Sequence, residues 1–137
     1  MSESLSVRRT DRDDCVVLVV RGDLDLSTEG QLLAAAVGVL QERLGRPVVL
    51  DLSGVRFVAS IGYSELLMIR HEATTSGQEA RIVAGRNDRL RHLAKLLGAL
   101  PIYDSVEDAD STPSAGQSSV RALRPEPPAD DPNRLGA

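Results

Sequence analysis

The chain is poor in cysteine, aromatic residues and lysine, and the first two shortages each exclude a structural feature. Cys15 is the single cysteine among 137 residues, so no internal disulfide can form, as is typical of proteins from a reducing compartment. Tryptophan is absent and the aromatic residues are only Phe57, Tyr63 and Tyr103, so the core must be aliphatic. No apolar run approaches the roughly 20 residues that a membrane-spanning helix needs, so no membrane partner is expected.

The charge balance argues against nucleic acid as a partner. The formal net charge is -4, and the 16 basic residues, of which only Lys95 is a lysine, form no basic block that would attract a phosphate backbone. The first residues contain no basic segment followed by an apolar stretch, so no secretory signal is expected and a cytoplasmic location is predicted.

Apolar patterning predicts an alternation of strands and helices. The strands are expected at residues 5–9, 15–20, 48–52, 81–84 and 102–103. The helices are expected after Ser27, over residues 61–73, after Asn87 and after Ser105. This order is typical of an α/β domain in which helices pack on a sheet.

Each of the three longer predicted helices carries an aliphatic stripe that would face the sheet. For the first helix, capped by Ser27 and ended by Gly45, the stripe is Leu33, Val37, Leu40 and Leu44. For the second it is Leu66, Leu67, Ile69 and Ala73, and for the third, closed by Gly98, it is Leu90, Leu93, Ala94 and Leu97. A Ser53-Gly54 turn is expected to end the second buried strand, with Val55 and Phe57 pointing inward beyond it.

The last part of the chain has the composition of a tail. Five of the seven prolines lie beyond residue 110, where the large aliphatic residues are only Val120, Leu123 and Leu135. Such a segment buries too little apolar surface to offset the entropy lost on ordering. We therefore predict one globular domain over residues 1–109 and a disordered tail over residues 110–137.

No pattern of catalytic or metal-binding residues stands out. His71 and His92 fall on predicted helices without a second ligand at metal spacing, and no phosphate-binding loop or nucleophile elbow is present. Asp23 and Asp25 share a face on an extended strand, which suits either an acid/base pair or the edge of a binding surface. We favour the second interpretation, and expect no enzyme activity, cofactor or metal.

Ser60 stands where a buried strand leads into the second predicted helix. One interpretation is an inert helix N-cap, since serine is common there. The other is a phosphorylation site, because the positive end of a helix tolerates a phosphate that adds roughly -1.5 to -2 charges. The residues around Ser60 do not complete a capping box, since Tyr63 and not glutamate lies three residues on.

The order of motifs resembles the STAS domain of bacterial anti-sigma factor antagonists over roughly residues 5–109. The matching motifs are Gly22-Asp23-Leu24-Asp25, the segment of residues 48–57 that reads VVLDLSGVRF, and Ser60-x-Gly62. The resemblance implies a small mixed sheet of four to five strands with three to four helices mainly on one side. It also implies a non-enzymatic protein that binds an anti-sigma factor, usually a serine kinase, and so releases a sigma factor for transcription.

The resemblance also implies that Ser60 is the phosphoacceptor and that a phosphatase removes the phosphate. The implied partner-binding residues are Asp23, Asp25, Ala59, Ile61, Gly62 and Tyr63. The chain departs from the family's D-S-S/T-G-L-G pattern, since Ala59 replaces the aspartate, Ile61 a small hydroxyl residue and Ser64 the second glycine. Ile61 and Tyr63 are expected to add apolar surface where the partner docks. The alternative for Ile61 is a core-facing position in the first turn, and for Tyr63 it is a packed surface aromatic. Ser64 is an alternative acceptor, which its position inside the predicted helix disfavours.

Two alternatives to this function stay open at the level of sequence. The first keeps the fold but drops the switch, so that the chain is a phosphorylation-independent interaction scaffold. The second is a small-molecule-binding domain that uses Asp23, Asp25 and Ser60.

Overall fold

The computed structural model describes residues 5–98 and 100–111, which form one mixed sheet flanked by helices. The strands, in chain order, are β1 (Ser6–Asp11), β2 (Val16–Leu24), β3 (Val48–Val58), β4 (Ala80–Val83) and β5 (Ile102–Tyr103). They lie in the same order across the sheet, with β1 antiparallel to β2 and the other pairs parallel. β2 and β3 are central and apolar because parallel strands are covered on both faces.

Four helices connect or follow these strands. They are α1 (Gln31–Leu40), α2 (Ser60–Thr75), α3 (Asp88–Leu97) and α4 (Val106–Ser111), and a short 3-10 helix (Leu26–Thr28) precedes α1. The sequence-based prediction of a small mixed sheet with four or five strands and three or four helices is confirmed. None of the helices described is long and apolar enough to cross a membrane.

The two faces of the sheet are covered unequally. One face, with Val16, Leu18 and Val20 of β2, packs in a core with buried residues of α1, α2 and α3. The opposite face, with Cys15 and Val17, packs in a smaller cluster that includes Ala109 of α4. The described helices therefore lie mainly on one side of the sheet, and among them only the short α4 covers the other side.

The predicted first helix is wrong in its start and its end, and its buried stripe is only partly as predicted. Asp25, not Ser27, caps the 3-10 helix. The α-helix α1 begins only after Gly30, whose left-handed backbone conformation, with φ 87°, separates the two helices. The helix ends at Leu40, so Leu44 lies outside it and is 37% exposed. Of the predicted stripe, Leu40 is buried and Leu33 is partly buried against the core, whereas the other buried residues of α1 are Leu32, Ala36 and Val39.

The prediction that Phe57 faces inward is also wrong, because β3 continues through Ser53-Gly54 as a bulged strand. Between Val19 and Arg21, and again between Gly22 and Asp23, β3 has one residue more than β2. An extra residue moves the alternation of side chains by one position. The inward positions therefore fall three apart, at Leu52, Val55 and Val58, and Phe57 is 43% exposed.

The remaining elements agree with the sequence, apart from their ends. Asn87 caps α3 by accepting from the Leu90 amide at 3.0 Å, and Gly98 follows its last turn with φ 69°. Leu97 is 56% exposed and does not belong to the buried face of α3. α4 continues to Ser111, two residues past the predicted domain boundary, and residues 112–137 of the expected tail lie outside the described residues.

Candidate functional site at the start of the second helix

Ser60 is the first residue of α2, not its cap. The N-cap is Ala59, in an extended conformation with φ -81° and ψ 168°, and it has no side-chain group that could cap the helix. The Ala59 amide donates to the Leu24 carbonyl oxygen at 2.9 Å, which fixes the end of β3 against the end of β2. Ser60 is exposed just beyond this junction. The inert-cap interpretation of Ser60 is therefore wrong.

Gly62 allows the first turn of α2 to lie against the end of β2. A Cβ atom at this position would come within 2.6 Å of the Leu24 carbonyl oxygen and 2.7 Å of the Leu24 Cβ. Real Cβ atoms do not approach that closely, so a side chain would push the helix away from the strand. Gly62 is buried, and its close contact with Leu24 positions the first turn of α2, which contains Ser60.

Tyr63 is a buried anchor, so the expectation that it adds apolar surface is wrong. Its side chain is 2% exposed and its hydroxyl donates to the carbonyl oxygen of Gly98, the residue that follows α3. Burial raises the pKa of the Tyr63 hydroxyl, which keeps it protonated as the donor. A buried tyrosine usually finds such a partner for its hydroxyl. Tyr63 therefore joins the first turn of α2 to the end of α3.

A groove of about 440 Å³ lies between the start of α1 and the first half of α2. It is lined by Glu29, Gly30, Leu33, Ser60, Ile61, Ser64, Glu65 and Met68. Ile61 is half-buried and Met68 is 52% exposed, so the wall formed by α2 is partly apolar. Ser60 and Ser64 lie four residues apart, on the same side of the helix. The groove thus places two hydroxyl groups beside an apolar surface.

Glu65 is a buried carboxylate that sequence reasoning missed. It is 5% exposed, and it accepts from the Leu33 amide at 2.7 Å and from the Gly30 amide at 3.3 Å. It thereby caps α1, whose own N-cap residue has no side chain. The available signal was its position on the buried stripe of α2 with Leu66 and Ile69, where an unpaired charge would be costly.

Asp25 is a local structural residue at the end of β2. Its Oδ1 accepts from the Ser27 amide at 3.0 Å and from the Ser27 hydroxyl at 2.7 Å, and Thr28 completes a capping box. The Ser27 hydroxyl holds the pKa of Asp25 below its usual range. The carboxylate is therefore charged at neutral pH, and it fixes the 3-10 helix that leads to the groove.

Asp23 lies within β2 and is paired with β3. Its Oδ2 accepts from Arg56 Nη2 at 3.2 Å, whereas its Oδ1 is buried without a hydrogen-bond partner among the described residues. Each of the two aspartates thus has its own partner, and among the described residues no hydrogen bond joins their carboxylates. The alternative of an acid/base pair gains no support from this arrangement.

Phe57, exposed by the second bulge, forms an apolar feature next to the end of β3. The Arg89 guanidinium lies 5.2 Å from the centre of its ring and donates through Nε to the Val58 carbonyl oxygen at 3.1 Å. An aromatic ring and the Arg89 guanidinium thus lie beside the end of β3, next to Arg56, which pairs with Asp23. Sequence reasoning missed it because it placed Phe57 inside.

Metal binding is not indicated in the described part of the chain. His71 and His92 lie on helices, as the sequence predicted, and both are exposed. No group of three or more histidine, cysteine, aspartate or glutamate residues with the geometry of a metal site occurs in residues 5–98 and 100–111.

Comparison with known proteins finds a matching family model and similar solved structures. A family model described as "Mlab, STAS domain" matches residues 7–100. An anti-sigma factor antagonist from Mycobacterium paratuberculosis is similar in structure, with a TM-score of 0.65 and 27% identity, over 88% of this chain and 99% of that chain.

Two more distant structures show the same fold. A STAS domain protein from Planctomyces limnophilus has a TM-score of 0.57 and 18% identity, over 80% of this chain and 95% of that chain. The Bacillus cell fate determinant SpoIIAA, solved in its phosphorylated form, has a TM-score of 0.54 and 12% identity, over 85% of this chain and 99% of that chain.

Proposed function

The chain belongs to the STAS-domain family, and on that premise we propose that it is an anti-sigma factor antagonist switched by phosphorylation at Ser60. In this proposal it binds an anti-sigma factor that is also a serine kinase, and so releases a sigma factor in the bacterial cytoplasm. Phosphorylation ends the binding and a phosphatase restores it. The protein acts on transcription through binding, without catalysis or a cofactor.

The position of Ser60 carries the proposal. The side chain is exposed on the first turn of α2 and caps nothing, so a kinase can reach it without unfolding the domain. The backbone N–H groups of a first helical turn lack partners within the helix, and the helix dipole favours an anion there. A phosphate on Ser60 would therefore leave α2 folded while it changes the charge of the adjoining surface by roughly -1.5 to -2.

Known relatives support the same interpretation. The similar protein from Mycobacterium paratuberculosis is described as an anti-sigma factor antagonist and matches nearly its whole length. SpoIIAA has been solved in a phosphorylated form, so at least one protein of this fold carries a phosphate.

The surface that would meet the partner is built around the groove. We propose that Ile61 and Ala59 contact the partner directly, since both are partly exposed at the start of α2. Asp23 and Asp25 would border this surface at the end of β2. Gly62 and Tyr63, which are buried, would contribute only by holding the turn in place.

The phosphorylation test uses Ser64 as a matched control on the same face of α2. The full chain is incubated with its cognate anti-sigma kinase and ATP, and the intact mass is measured for the native chain, Ser60→Ala and Ser64→Ala. We expect one added phosphoryl group on the native chain and on Ser64→Ala, and none on Ser60→Ala. A phosphoryl group on Ser60→Ala, or none on the native chain, contradicts the assignment.

The binding test compares a negative with a neutral side chain of similar size. Ser60→Glu is expected to lose affinity for the anti-sigma factor by roughly tenfold or more, because a buried unpaired charge is costly at an interface, whereas Ser60→Gln retains most of it. Calorimetry with the purified partner measures both.

A second candidate is the phosphorylation-independent scaffold. The observation that favours it is the uncharged Ala59 beside Ser60. A kinase or phosphatase therefore has no acidic side chain to recognise at that position. Under this alternative, partner binding is indifferent to Ser60→Ala and to Ser60→Glu alike, and the native chain gains no phosphate.

A further inference from the structure

We propose that Glu65 is the positioning residue through which a negative charge on Ser60 acts on the start of α1. This inference rests on the proposed function, since phosphorylation is what would supply the charge. It assigns the switch a mechanism within the domain, in addition to any direct repulsion of the partner.

The contacts of Glu65 give it control of the start of α1. Its two carboxylate oxygens accept from the amides of Gly30 and Leu33, at the N-terminal end of that helix. No side chain of the N-cap residue contributes, and no acidic residue lies in the first turn of α1. Hydrogen bonds to an ionised acceptor are roughly twice as strong as neutral ones, so the carboxylate charge matters to this cap.

Glu65 and Ser60 lie on the lining of the same groove. Ser60, Ser64 and Glu65 all line it, and Glu65 reaches across it from α2 to α1. The other charged lining residue is Glu29, which is also acidic, so the lining contains no cation to neutralise an added phosphate.

A phosphoryl group on Ser60 would weaken the cap in two ways. A like charge on the same groove repels the Glu65 carboxylate, and water screens this repulsion poorly because Glu65 is only 5% exposed. The phosphoryl oxygens also compete with Glu65 as acceptors for the amides of α1. Either effect loosens Gly30 and Leu33, which form the opposite wall of the groove.

Amide hydrogen exchange of the full chain, measured by NMR without any partner, tests the inference. In Ser60→Glu the Leu33 amide is expected to exchange roughly three- to tenfold faster than in Ser60→Gln, which carries a neutral side chain of the same size. The Leu90 amide is the control, because it also donates to a capping side chain, that of Asn87 at 3.0 Å, and neither residue lines the groove. Its exchange is expected to be equal in both variants.

A second pair of variants separates positioning by Glu65 from a general loss of stability. In a Glu65→Gln background the Leu33 amide exchanges faster from the outset, because a carboxamide is a weaker acceptor. The difference between Ser60→Glu and Ser60→Gln at Leu33 is then expected to fall to less than about half of its value in the native background. A purely structural role for Glu65 would leave that difference intact.

The outcomes distinguish this inference from the proposed function. Equal exchange of Leu33 in Ser60→Glu and Ser60→Gln overturns the inference, and it does so even if Glu65→Gln fails to fold. If Ser60→Glu loses the partner while Leu33 is unaffected, the proposed function stands and this mechanism does not. If the Leu33 amide exchanges faster in Ser60→Glu than in Ser60→Gln but the native chain binds no anti-sigma factor, the mechanism stands and the proposed function does not.

Discussion

At the scale of single residues, the missing side chain of Gly62 sets the distance between α2 and β2. Gly62→Ala is expected to destabilise the protein by about 1–3 kcal/mol, since the new methyl group meets the Leu24 backbone and neither backbone segment can move freely. The midpoint of urea unfolding measures the change. Because Ser60 lies in the same turn, the variant is also expected to bind the proposed partner more weakly.

Gly38→Ala is the matched control for that substitution. Gly38 lies within α1, is exposed, and has no atom within 4 Å of an added Cβ. Alanine in a helix interior is more stable than glycine by about 0.5–1 kcal/mol, so this variant should be stabilised. If both variants shift the midpoint in the same direction, steric contact with Leu24 does not explain the effect at Gly62.

At the scale of elements, α4 is a short helix held on the sheet mainly by polar contacts. Ala109 is its buried apolar residue, and Arg12 pairs with Asp110 at 3.4 Å and with Glu107 at 4.0 Å. The Arg81 guanidinium, nearly fully buried, donates to the Ala109 carbonyl oxygen. Such an element opens more readily than one with a large apolar face.

The thiol of Cys15, fully buried in the cluster that α4 covers, reports on that opening. Burial, with the neighbouring Asp110, raises the pKa of Cys15 to about 11, so the native thiol should react slowly with a thiol reagent at neutral pH. Arg12→Ala removes both ion pairs to α4 and is expected to accelerate labelling by roughly two- to tenfold.

Arg8→Ala supplies the control for that experiment, because Arg8 is exposed on β1 and no ion pair to α4 is described for it. Labelling of Cys15 in this variant should match the native rate. Equal acceleration in both variants would mean that Cys15 reacts through opening of the β1 edge and not through release of α4.

The elements also show which features the sequence could predict. α3 was predicted with both ends because its signals are local: Asn87 caps the Leu90 amide three residues away and Gly98 follows the last turn. The start of α1 was missed because its cap is Glu65, 32 residues from Leu33. A cap supplied by a distant helix leaves no pattern in the segment that it stabilises.

The candidate site was predictable to a similar degree. The motif order located Ser60 at a strand-to-helix junction, and the structure has it there, directly after the end of β3. The surroundings were not predictable, because the two bulges that expose Phe57 and the burial of Tyr63 against Gly98 depend on tertiary register. Apolar character alone does not distinguish a side chain that docks a partner from one that docks a neighbouring helix.

At the scale of the whole molecule, we predict that the folded domain ends with α4, the last helix that the structure describes. Residues 112–137 are rich in proline and poor in large aliphatic residues, so their removal after Ser111 should leave the melting temperature and partner binding unchanged. Removal after Ser105 instead deletes α4, uncovers Val17 and deprives buried Arg81 of an acceptor. The lost acceptor alone is expected to cost about 1–3 kcal/mol.

Melting curves of the full chain and the two truncated chains, recorded at equal concentration, measure this difference. Since α4 lies on the opposite face of the sheet from α1 and α2, the shorter chain should lose stability but still bind the proposed partner at a temperature where it is folded. A lower melting temperature after truncation at Ser111 would show that residues 112–137 pack on the domain. Loss of binding in that chain, with melting unchanged, would place part of the partner-binding surface in the tail.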